Sequence, residues 1–435
     1  MQPRHVTMHM LARAAGSLLA ASWLWVAVAA AMIPAEAARM APKVLIISMF
    51  PPEAQVWYDG MPSSGLGSLL AVNVSTPGLS MLFPHVHCVA DQSVCQVTTG
   101  ESEINAATTV AAVALSGRFD LRRTYVLVAG IAGVNPRHAT LGSVALARFA
   151  VQVALQYEFD AREKPANFST GYFAFGAAGP GDYPTTLYGT EVLELSVALR
   201  DAAFALAARA DLADDAGSVA IRARYAARGR AAFAAAAGPP AVVRCDAATS
   251  DVYFSGALLS EAFENTTRTW TNGSGVYCMS AQEDNATLEV LLRMAIEGRV
   301  DFSRIILMRT GSDFDRPPPG LTAYEHLVLL DQNGFDIALD NIYRAGIEIV
   351  KGILADWDSR YEKGLEPTNY VGDVFGSLGG EPDFGPGSIT DGKPVLPGGM
   401  TGDLVKRGVA PRRRGGGAGR GIPIRVPVPV PGGQG

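Results

Sequence analysis

Residues 304–313 have the sequence RIILMRTGSD, and this stretch decides the fold. Large apolar residues at 305–308, after Arg304, are typical of a short strand that is buried on both faces, and a polar segment follows directly. Apolar runs at 44–47 and 124–129 are also followed by polar or glycine-rich segments. Because ligands of open α/β sheets bind beyond the carboxyl ends of the strands, we expect these segments to form one site.

Segments that favour helices alternate with these strands. Residues 103–115 are rich in alanine, 190–237 consist mostly of Ala, Arg, Leu and Asp, and further helices are predicted at 284–297 and 335–357. Another strand is predicted at 241–244. The alternation predicts a single α/β domain with a mainly parallel or mixed central sheet that is flanked by helices.

Composition excludes several classes of protein. The chain has 435 residues, of which 48% are hydrophobic, so it can bury a large core. Its net charge is -6, and its basic residues are scattered until the far C-terminus, so no nucleic-acid partner is expected. Beyond the N-terminal region no segment reaches ~18 uninterrupted apolar residues, which excludes a multi-helix membrane domain.

The first 37 residues have the layout of a secretory signal peptide. Arg4 and Arg13 precede an apolar run at 17–33, and Ala35-Glu36-Ala37 offers small residues for cleavage before Ala38. A single membrane anchor is the alternative, because the run is close to the lower length limit for a spanning helix. We expect a secreted, cell-surface or periplasmic protein.

The C-terminal region differs in composition from the rest of the chain. Gly, Pro and Arg dominate residues 385–435, which therefore cannot bury enough apolar surface to become ordered. We predict a folded domain at 38–384, followed by a disordered tail.

Four cysteines, Cys88, Cys95, Cys245 and Cys278, suggest two disulfides in an exported chain. Three pairings are possible. We favour Cys88–Cys95, which closes a short loop within a predicted strand pair at 85–97, together with Cys245–Cys278. Zinc is the weaker alternative because no CxxC pair is present, and we predict neither a metal nor a cofactor. Five glycosylation sequons begin at Asn73, Asn167, Asn265, Asn272 and Asn285.

Three acidic residues beside the predicted strands and helices are candidates for chemistry. Glu53 can act as a general base on water, or it can complement the dipole of the helix that it begins. Asp313, flanked by Ser312, can act as a general acid with a raised pKa, or it can form an Asx turn or helix cap. Glu283 can bind a ribose diol, or it can be a solvated acid in the first turn of a helix.

Small residues near the predicted strand ends are candidates for binding. Thr99, beside Gly100 at a helix start, can cradle an anion or sugar hydroxyls, or it can belong to an ordinary capped helix. Gly130 and Gly133, followed by Asn135, permit close approach of a ligand to the backbone, although a tight turn would look the same.

Six motifs in this order resemble the purine nucleoside permease family of fungi and bacteria. The resemblance extends from Lys43 to Gly387, and the family in turn resembles the nucleoside phosphorylase and nucleosidase superfamily, which implies a nucleoside-phosphorylase-like fold. The motifs are FPPE at 50–53, CQVTTGESEIN at 95–105, GIAGVNP at 130–136, TSDVYF at 249–254, MSAQEDNA at 279–286 and RTGSDFD at 309–315.

The resemblance implies a role for each candidate. Ser312 and Asp313 correspond to the pair that protonates N7 of the departing purine. Glu283 corresponds to the residue that holds the ribose hydroxyls, with Gln282 where the superfamily has Met. Tyr253 takes the place of the aromatic residue that stacks on the base, and Gly130 to Gly133 correspond to the small-residue turn of the site.

The first motif distinguishes hydrolysis from phosphorolysis. Phosphorylases have Gly and Arg there to hold phosphate, whereas nucleosidases have a Glu that activates water, and this chain has Glu53. Ile131 also replaces a Ser-type residue in the next motif. Arg122 and Arg123 are possible anion ligands, but they resemble surface charges at a strand edge. The resemblance therefore implies that purine nucleosides are bound and hydrolysed to base and ribose. The alternatives are phosphorolysis and a nucleoside transport or binding component without turnover. A homo-oligomer is left open.

Overall fold

The computed structural model describes residues 39–226 and 231–390. The predicted signal peptide, 1–37, lies outside these residues, and so does most of the predicted tail, 391–435. Residues 385–390 are described and pack against the domain. The Ile389 N–H donates to the carbonyl of Phe375, at 2.8 Å, and Ser388 is buried.

The described strands and helices are numbered along the chain. The strands are β1 (Val44–Ser48), β2 (Val72–Ser75), β3 (His85–Cys88), β4 (Val94–Thr98), β5 (Tyr125–Val134), β6 (Val144–Leu146), β7 (Phe149–Gln152), β8 (Tyr157–Glu158), β9 (Tyr172–Phe173), β10 (Val192–Glu194), β11 (Val242–Arg244), β12 (Asp246–Thr249), β13 (Tyr277–Ala281), β14 (Ile305–Phe314) and β15 (Gly372–Asp373). The helices are α1 (Pro51–Gly60), α2 (Glu103–Leu115), α3 (Val197–Ala207), α4 (Ala216–Ala226), α5 (Ala257–Trp270), α6 (Asp284–Ile296) and α7 (Phe335–Ala355).

One large sheet organises the domain. Its strand order is β15-β10-β7-β12-β13-β5-β1-β4-β3-β2, while β14 pairs with β5 and β6, and β11 pairs with β6. β5 is parallel to β1 and β14 but antiparallel to β13. The expectation of a mixed central sheet flanked by helices is confirmed.

Alternate residues of the central strands face two separate cores. In β1, Val44 and Ile46 pack in the core that receives α1, α3 and α7, whereas Leu45 and Ile47 pack in the core that receives α2 and α6. Both faces are therefore apolar, which explains the uninterrupted hydrophobic run. Burying each such side chain stabilises the fold by about 1.5–3 kcal/mol.

Two of the predicted strands are longer than the sequence indicated. β5 continues through Gly130 and Gly133, and β14 continues through Arg309 to Phe314, so the prediction that these segments are loops after the strands is wrong. The two strands pair in parallel along their length, with a register shift between Gly311 and Asp313. Ser312 is therefore an extra residue in a bulge, which changes the direction of the strand at the sheet edge.

The predicted helical stretch 190–237 is interrupted. It contains β10, α3 and α4, and Asp215 accepts a hydrogen bond from the Ser218 N–H, at 2.8 Å, near the start of α4. An acidic side chain in that position caps a new helix instead of extending the previous one.

Both favoured disulfides are present. Cys88–Cys95 joins β3 to β4, and Cys245–Cys278 joins the residue before β12 to β13. Over the described ranges, no helix combines the length and the hydrophobicity needed to cross a membrane.

Candidate active site

A pocket of about 320 Å³ lies at the sheet edge where β1, β5 and β14 end. Its wall includes the bulge of β14 and the segments that follow β1, β12 and β13. The site residues predicted from sequence that line it are Glu53, Gly133, Tyr253, Glu283, Ser312 and Asp313.

Glu53 is buried in the first turn of α1, with 1% of its surface exposed. One carboxylate oxygen accepts a hydrogen bond from the Met49 N–H and the other from the Ile131 N–H, each at 2.7 Å. Burial raises the pKa of Glu53 to about 7, although the positive charge of Arg309 opposes the rise. A carboxyl group with this pKa is well matched to proton transfer near neutral pH.

Arg309 is a pocket residue to which the sequence analysis gave no role. It is 2% exposed, and its Nη2 donates to Glu283 at 2.6 Å and also to Asp284. Its Nη1 donates to the carbonyl of Ile131, at 3.1 Å. The sequence showed only a charge directly after an apolar run, and the pairing became visible when β14 was found to continue through Arg309, because buried charges are almost always paired.

Glu283 lies at the N-terminus of α6 and is 4% exposed, so the alternative of a solvated acid is wrong. One of its oxygens accepts from Arg309 and the other from the Ser102 N–H, at 3.2 Å. Burial raises the pKa of Glu283, while Arg309 opposes the rise. The carboxylate is therefore fixed in orientation, with lone pairs left to accept from a ligand.

Gly130 lies beneath these charges and does not line the pocket. A Cβ atom there would be 2.5 Å from Nη1 of Arg309 and 2.6 Å from a carboxylate oxygen of Glu53. Only glycine leaves room for both groups at this point of β5.

Asp313 forms the other acidic part of the pocket. One carboxylate oxygen accepts from the Ser312 hydroxyl and the other from the Tyr253 hydroxyl, each at 2.7 Å. Burial raises the pKa of Asp313, and the two hydroxyl donors oppose the rise. Both donors are neutral, so the protonated form of the acid is accessible.

Thr99 and Asn135 do not line the pocket. The Thr99 hydroxyl donates to the carbonyl of Gly100, at 2.8 Å, and the Asn135 amide donates to Glu264, at 2.6 Å. Both side chains are fully buried and bonded within the protein. Their proximity in sequence to pocket residues did not reveal the direction of their side chains.

The pocket has an excess of negative charge. Among the described residues that line it, Arg309 is the only cationic side chain, and its three nitrogens donate to protein oxygens. Arg122 and Arg123 lie on the surface, paired with Asp120 and Glu362. The acids in the wall are Glu53, Glu101, Glu283 and Asp313. Within the described ranges, no cluster of three or more His, Cys, Asp or Glu side chains is arranged to hold a metal ion.

Sequence comparisons give a consistent family assignment. The family model described as purine nucleoside permease matches residues 41–366. A purine nucleoside permease of Candida albicans is 44% identical over 350 residues, which cover 79% of this chain and 83% of the relative. A probable purine nucleoside permease of Schizosaccharomyces pombe is 39% identical over 324 residues, covering 73% of this chain and 90% of the relative.

Solved structures with similarity to this chain have low sequence identity to it. The 5'-methylthioadenosine/S-adenosylhomocysteine nucleosidase of Neisseria meningitidis is 14% identical with a TM-score of 0.44, covering 72% of this chain and 99% of that chain. Futalosine hydrolase of Helicobacter pylori is 13% identical with a TM-score of 0.42, covering 72% and 98% respectively.

Proposed function

The chain belongs to the purine nucleoside permease family, and we propose that its pocket binds purine nucleosides and hydrolyses their N-glycosidic bond. The main support is the presence of two acids, Glu53 and Asp313, whose pKa values are raised by burial, in a pocket whose arginine is already neutralised. Titratable groups with shifted pKa values in a cleft are frequent at catalytic sites.

Asp313 acts on the leaving group. As the bond between C1′ and N9 breaks, its electron pair moves onto the purine, and protonation of N7 by Asp313 neutralises that charge. The raised pKa of Asp313 favours its protonated form, which this step requires. A positioned general acid typically accelerates such a reaction by about 10²–10⁴-fold.

Glu53 acts on water. The ribosyl group left behind resembles an oxocarbenium ion, and the oxygen of a water molecule bonds to C1′ while Glu53 accepts a proton from that water. The hydrogen bonds from Met49 and Ile131 fix the carboxylate in place. The products are free base and ribose, and solvent returns the proton from Glu53 to Asp313.

Glu283 positions the sugar. Its carboxylate can accept hydrogen bonds from the 2′- and 3′-hydroxyls of ribose, because each oxygen accepts a single bond from the protein. Arg309 acts as a positioning residue, since it holds Glu283 and lies against Glu53.

Hydrolysis fits the charge of the pocket better than phosphorolysis. A phosphate dianion would meet several carboxylates and an arginine whose charge is already paired with Glu283 and Asp284. Such a site repels an anion, whereas water carries no charge.

A binding or transport component without turnover is the second candidate. It is favoured by the names of the relatives, which describe permeases. Such a protein would use the same ribose and purine contacts and release the nucleoside intact.

The test is incubation of the purified protein with inosine or adenosine, with and without phosphate. We expect free base and ribose at the same rate in both conditions. Base that appears only with phosphate, together with ribose 1-phosphate, would establish phosphorolysis. Tight binding with no release of base would establish the carrier function.

We also propose that the chain is exported, with cleavage before Ala38. The two disulfides and the exposed sequon residues Asn73, Asn167 and Asn272 support this route. The intact mass of the exported protein, before and after glycosidase treatment, tests it. A retained N-terminus with carbonate-resistant membrane association would support the anchor instead.

A further inference from the structure

Ser102 has a backbone conformation that residues with a side chain rarely adopt. It directly precedes α2, and its φ is 80° with a ψ of 160°. This region is used almost only by glycine, because a Cβ atom clashes with the backbone there. Gly100 also has a positive φ, of 88°, but it carries no Cβ atom. Ser102 therefore needs contacts that hold it in a strained conformation.

The carboxylate of Asp251 provides these contacts. Its Oδ1 accepts a hydrogen bond from the Ser102 hydroxyl, at 2.6 Å, and another from the Glu103 N–H, at 2.9 Å. The first bond restricts the side-chain torsion of Ser102, and the second restricts its ψ angle. Because the acceptor is a carboxylate, both bonds are stronger than bonds to a neutral group would be. Asp251 therefore opposes relaxation of the backbone at Ser102.

The strained conformation directs the Ser102 N–H toward Glu283. This N–H donates to Oε2 of Glu283 at 3.2 Å, while Arg309 donates to Oε1 at 2.6 Å. Each carboxylate oxygen is therefore held by its own donor. The N–H of Ser102 also opposes the rise that burial causes in the pKa of Glu283. The longer of the two bonds is the one that depends on a strained residue.

Asp251 also lies in a segment that contacts both ends of the pocket. Its carbonyl oxygen accepts from the side chain of Gln282, at 3.1 Å, directly before Glu283. Tyr253, two residues after Asp251, donates to Asp313. Neither Asp251 nor Ser102 lines the pocket, so any effect of these two residues on a ligand must pass through their partners.

We propose that Asp251 and Ser102 are positioning residues that orient Glu283, and that they thereby set a preference for nucleosides with both ribose hydroxyls, which rests on the proposed binding of purine nucleosides. If Ser102 relaxed to an ordinary conformation, its N–H would turn away, and Glu283 would keep only the bond from Arg309. A carboxylate held at one oxygen can rotate, and it then loses the fixed geometry that two neighbouring hydroxyls require.

The test compares the binding of two nucleosides whose glycosidic bond is carbon–carbon and cannot be hydrolysed, 9-deazainosine and its 2′,3′-dideoxy analogue. Titration calorimetry on the full chain gives the affinity of each. Ser102→Ala keeps the Cβ atom but loses the hydroxyl, so it should bind 9-deazainosine about tenfold more weakly, the size of one ordinary hydrogen bond. Its affinity for the dideoxy analogue should equal that of the wild type, because this analogue offers Glu283 no hydroxyl.

Ser102→Gly separates the backbone effect from the loss of the hydroxyl. Glycine adopts a φ of 80° without strain and keeps its N–H, so this variant should bind 9-deazainosine more tightly than Ser102→Ala does. Asp251→Ala removes the acceptor and should resemble Ser102→Ala, whereas Asp251→Asn keeps an acceptor oxygen and should bind more tightly than Asp251→Ala.

The matched control is Asp91→Ala. Asp91 accepts from the hydroxyl and the N–H of Ser93, at 2.7 Å and 3.0 Å, but it does not line the pocket. This variant loses the same kind of contact and should bind both nucleosides like the wild type.

Four outcomes would contradict the proposal. An unchanged affinity of Ser102→Ala for 9-deazainosine would refute it, and an equal loss for both nucleosides would show that Asp251 only caps α2. Ser102→Gly as weak as Ser102→Ala would assign the effect to the hydroxyl instead of the backbone. A wild type that binds neither nucleoside would refute the proposed nucleoside binding itself, which distinguishes that failure from the other three.

Discussion

Asp313 and Asp315 are two residues apart at the end of β14, yet they lie in different surroundings. Each accepts a hydrogen bond from a tyrosine hydroxyl: Asp313 from Tyr253 at 2.7 Å, and Asp315 from Tyr277 at 2.8 Å. Burial raises the pKa of both acids. Only Asp313 lines the pocket.

The two carboxyl groups differ in their second hydrogen-bond donor. Asp313 accepts from the neutral hydroxyl of Ser312, whereas Asp315 accepts from the guanidinium of Arg316, at 2.8 Å. Arg316 favours the ionised form of its partner, while neutral donors leave the protonated form accessible. A buried acid with neutral donors can therefore transfer a proton, and one paired with arginine is part of the structural framework.

The largest effect is expected from Asp313→Asn. The amide keeps the shape of the side chain but cannot transfer a proton, so turnover should fall by about 10²–10⁴-fold. Asp315→Asn should leave turnover per folded molecule nearly unchanged. It should lower the free energy of unfolding by about 1.5–3 kcal/mol, because Arg316 loses one of its two carboxylate partners and keeps only Glu264. Steady-state rates and denaturant unfolding of both variants measure this.

Two results would contradict these assignments of Asp313 and Asp315. If Asp313→Asn turned over normally, its carboxyl group would have only a structural function. If Asp315→Asn lost turnover at full stability, the arginine-paired acid would take part in the chemistry.

The next largest loss of turnover is expected from Glu53→Gln, which tests the proposed general base. We expect a loss of about 10²-fold, the lower end for a general base, because bond breaking precedes most of the attack by water. In the wild type, the ionised form of Glu53 is required, and its raised pKa of about 7 means that kcat/KM falls as the pH drops below that value. The variant should lose this acidic limb. An acidic limb that persists in Glu53→Gln would assign the titration to another group.

The sequence predicted much of the fold because the central strands are buried on both faces. Their uninterrupted apolar runs, such as 44–47, are recognisable without structural information. The far halves of β5 and β14 were missed because glycine, serine and threonine break that pattern where the strands enter the pocket.

The sequence placed acids near the site but could not show what neutralises them. Arg309 and Asp284 belong to different elements, and their contact depends on where the end of β14 lies relative to the first residue of α6. The position of Asn135 also depends on tertiary structure, because its amide bonds to Glu264 of α5, a helix that the sequence analysis did not predict.

The smallest effects are expected from removing the two tyrosine hydroxyls. Tyr253→Phe deletes the donor to Asp313 and keeps an aromatic ring in the pocket wall. Because that hydrogen bond favours the carboxylate, its loss should raise the pKa of Asp313 further. The basic limb of the kcat/KM profile, where Asp313 loses its proton, should move to higher pH by about one unit or less, the equivalent of one ordinary hydrogen bond.

Tyr277→Phe is the matched control, because it deletes the tyrosine hydroxyl that donates to Asp315. It should leave both limbs of the pH profile in place and lower the free energy of unfolding by about 1.5–3 kcal/mol, as expected for a buried hydrogen bond to a charged group. A shift of the basic limb in Tyr277→Phe, or a shift to lower pH in Tyr253→Phe, would show that Asp313 is not the acid that titrates. The pair of profiles therefore separates the proton donor from its structural neighbour without altering either carboxylate.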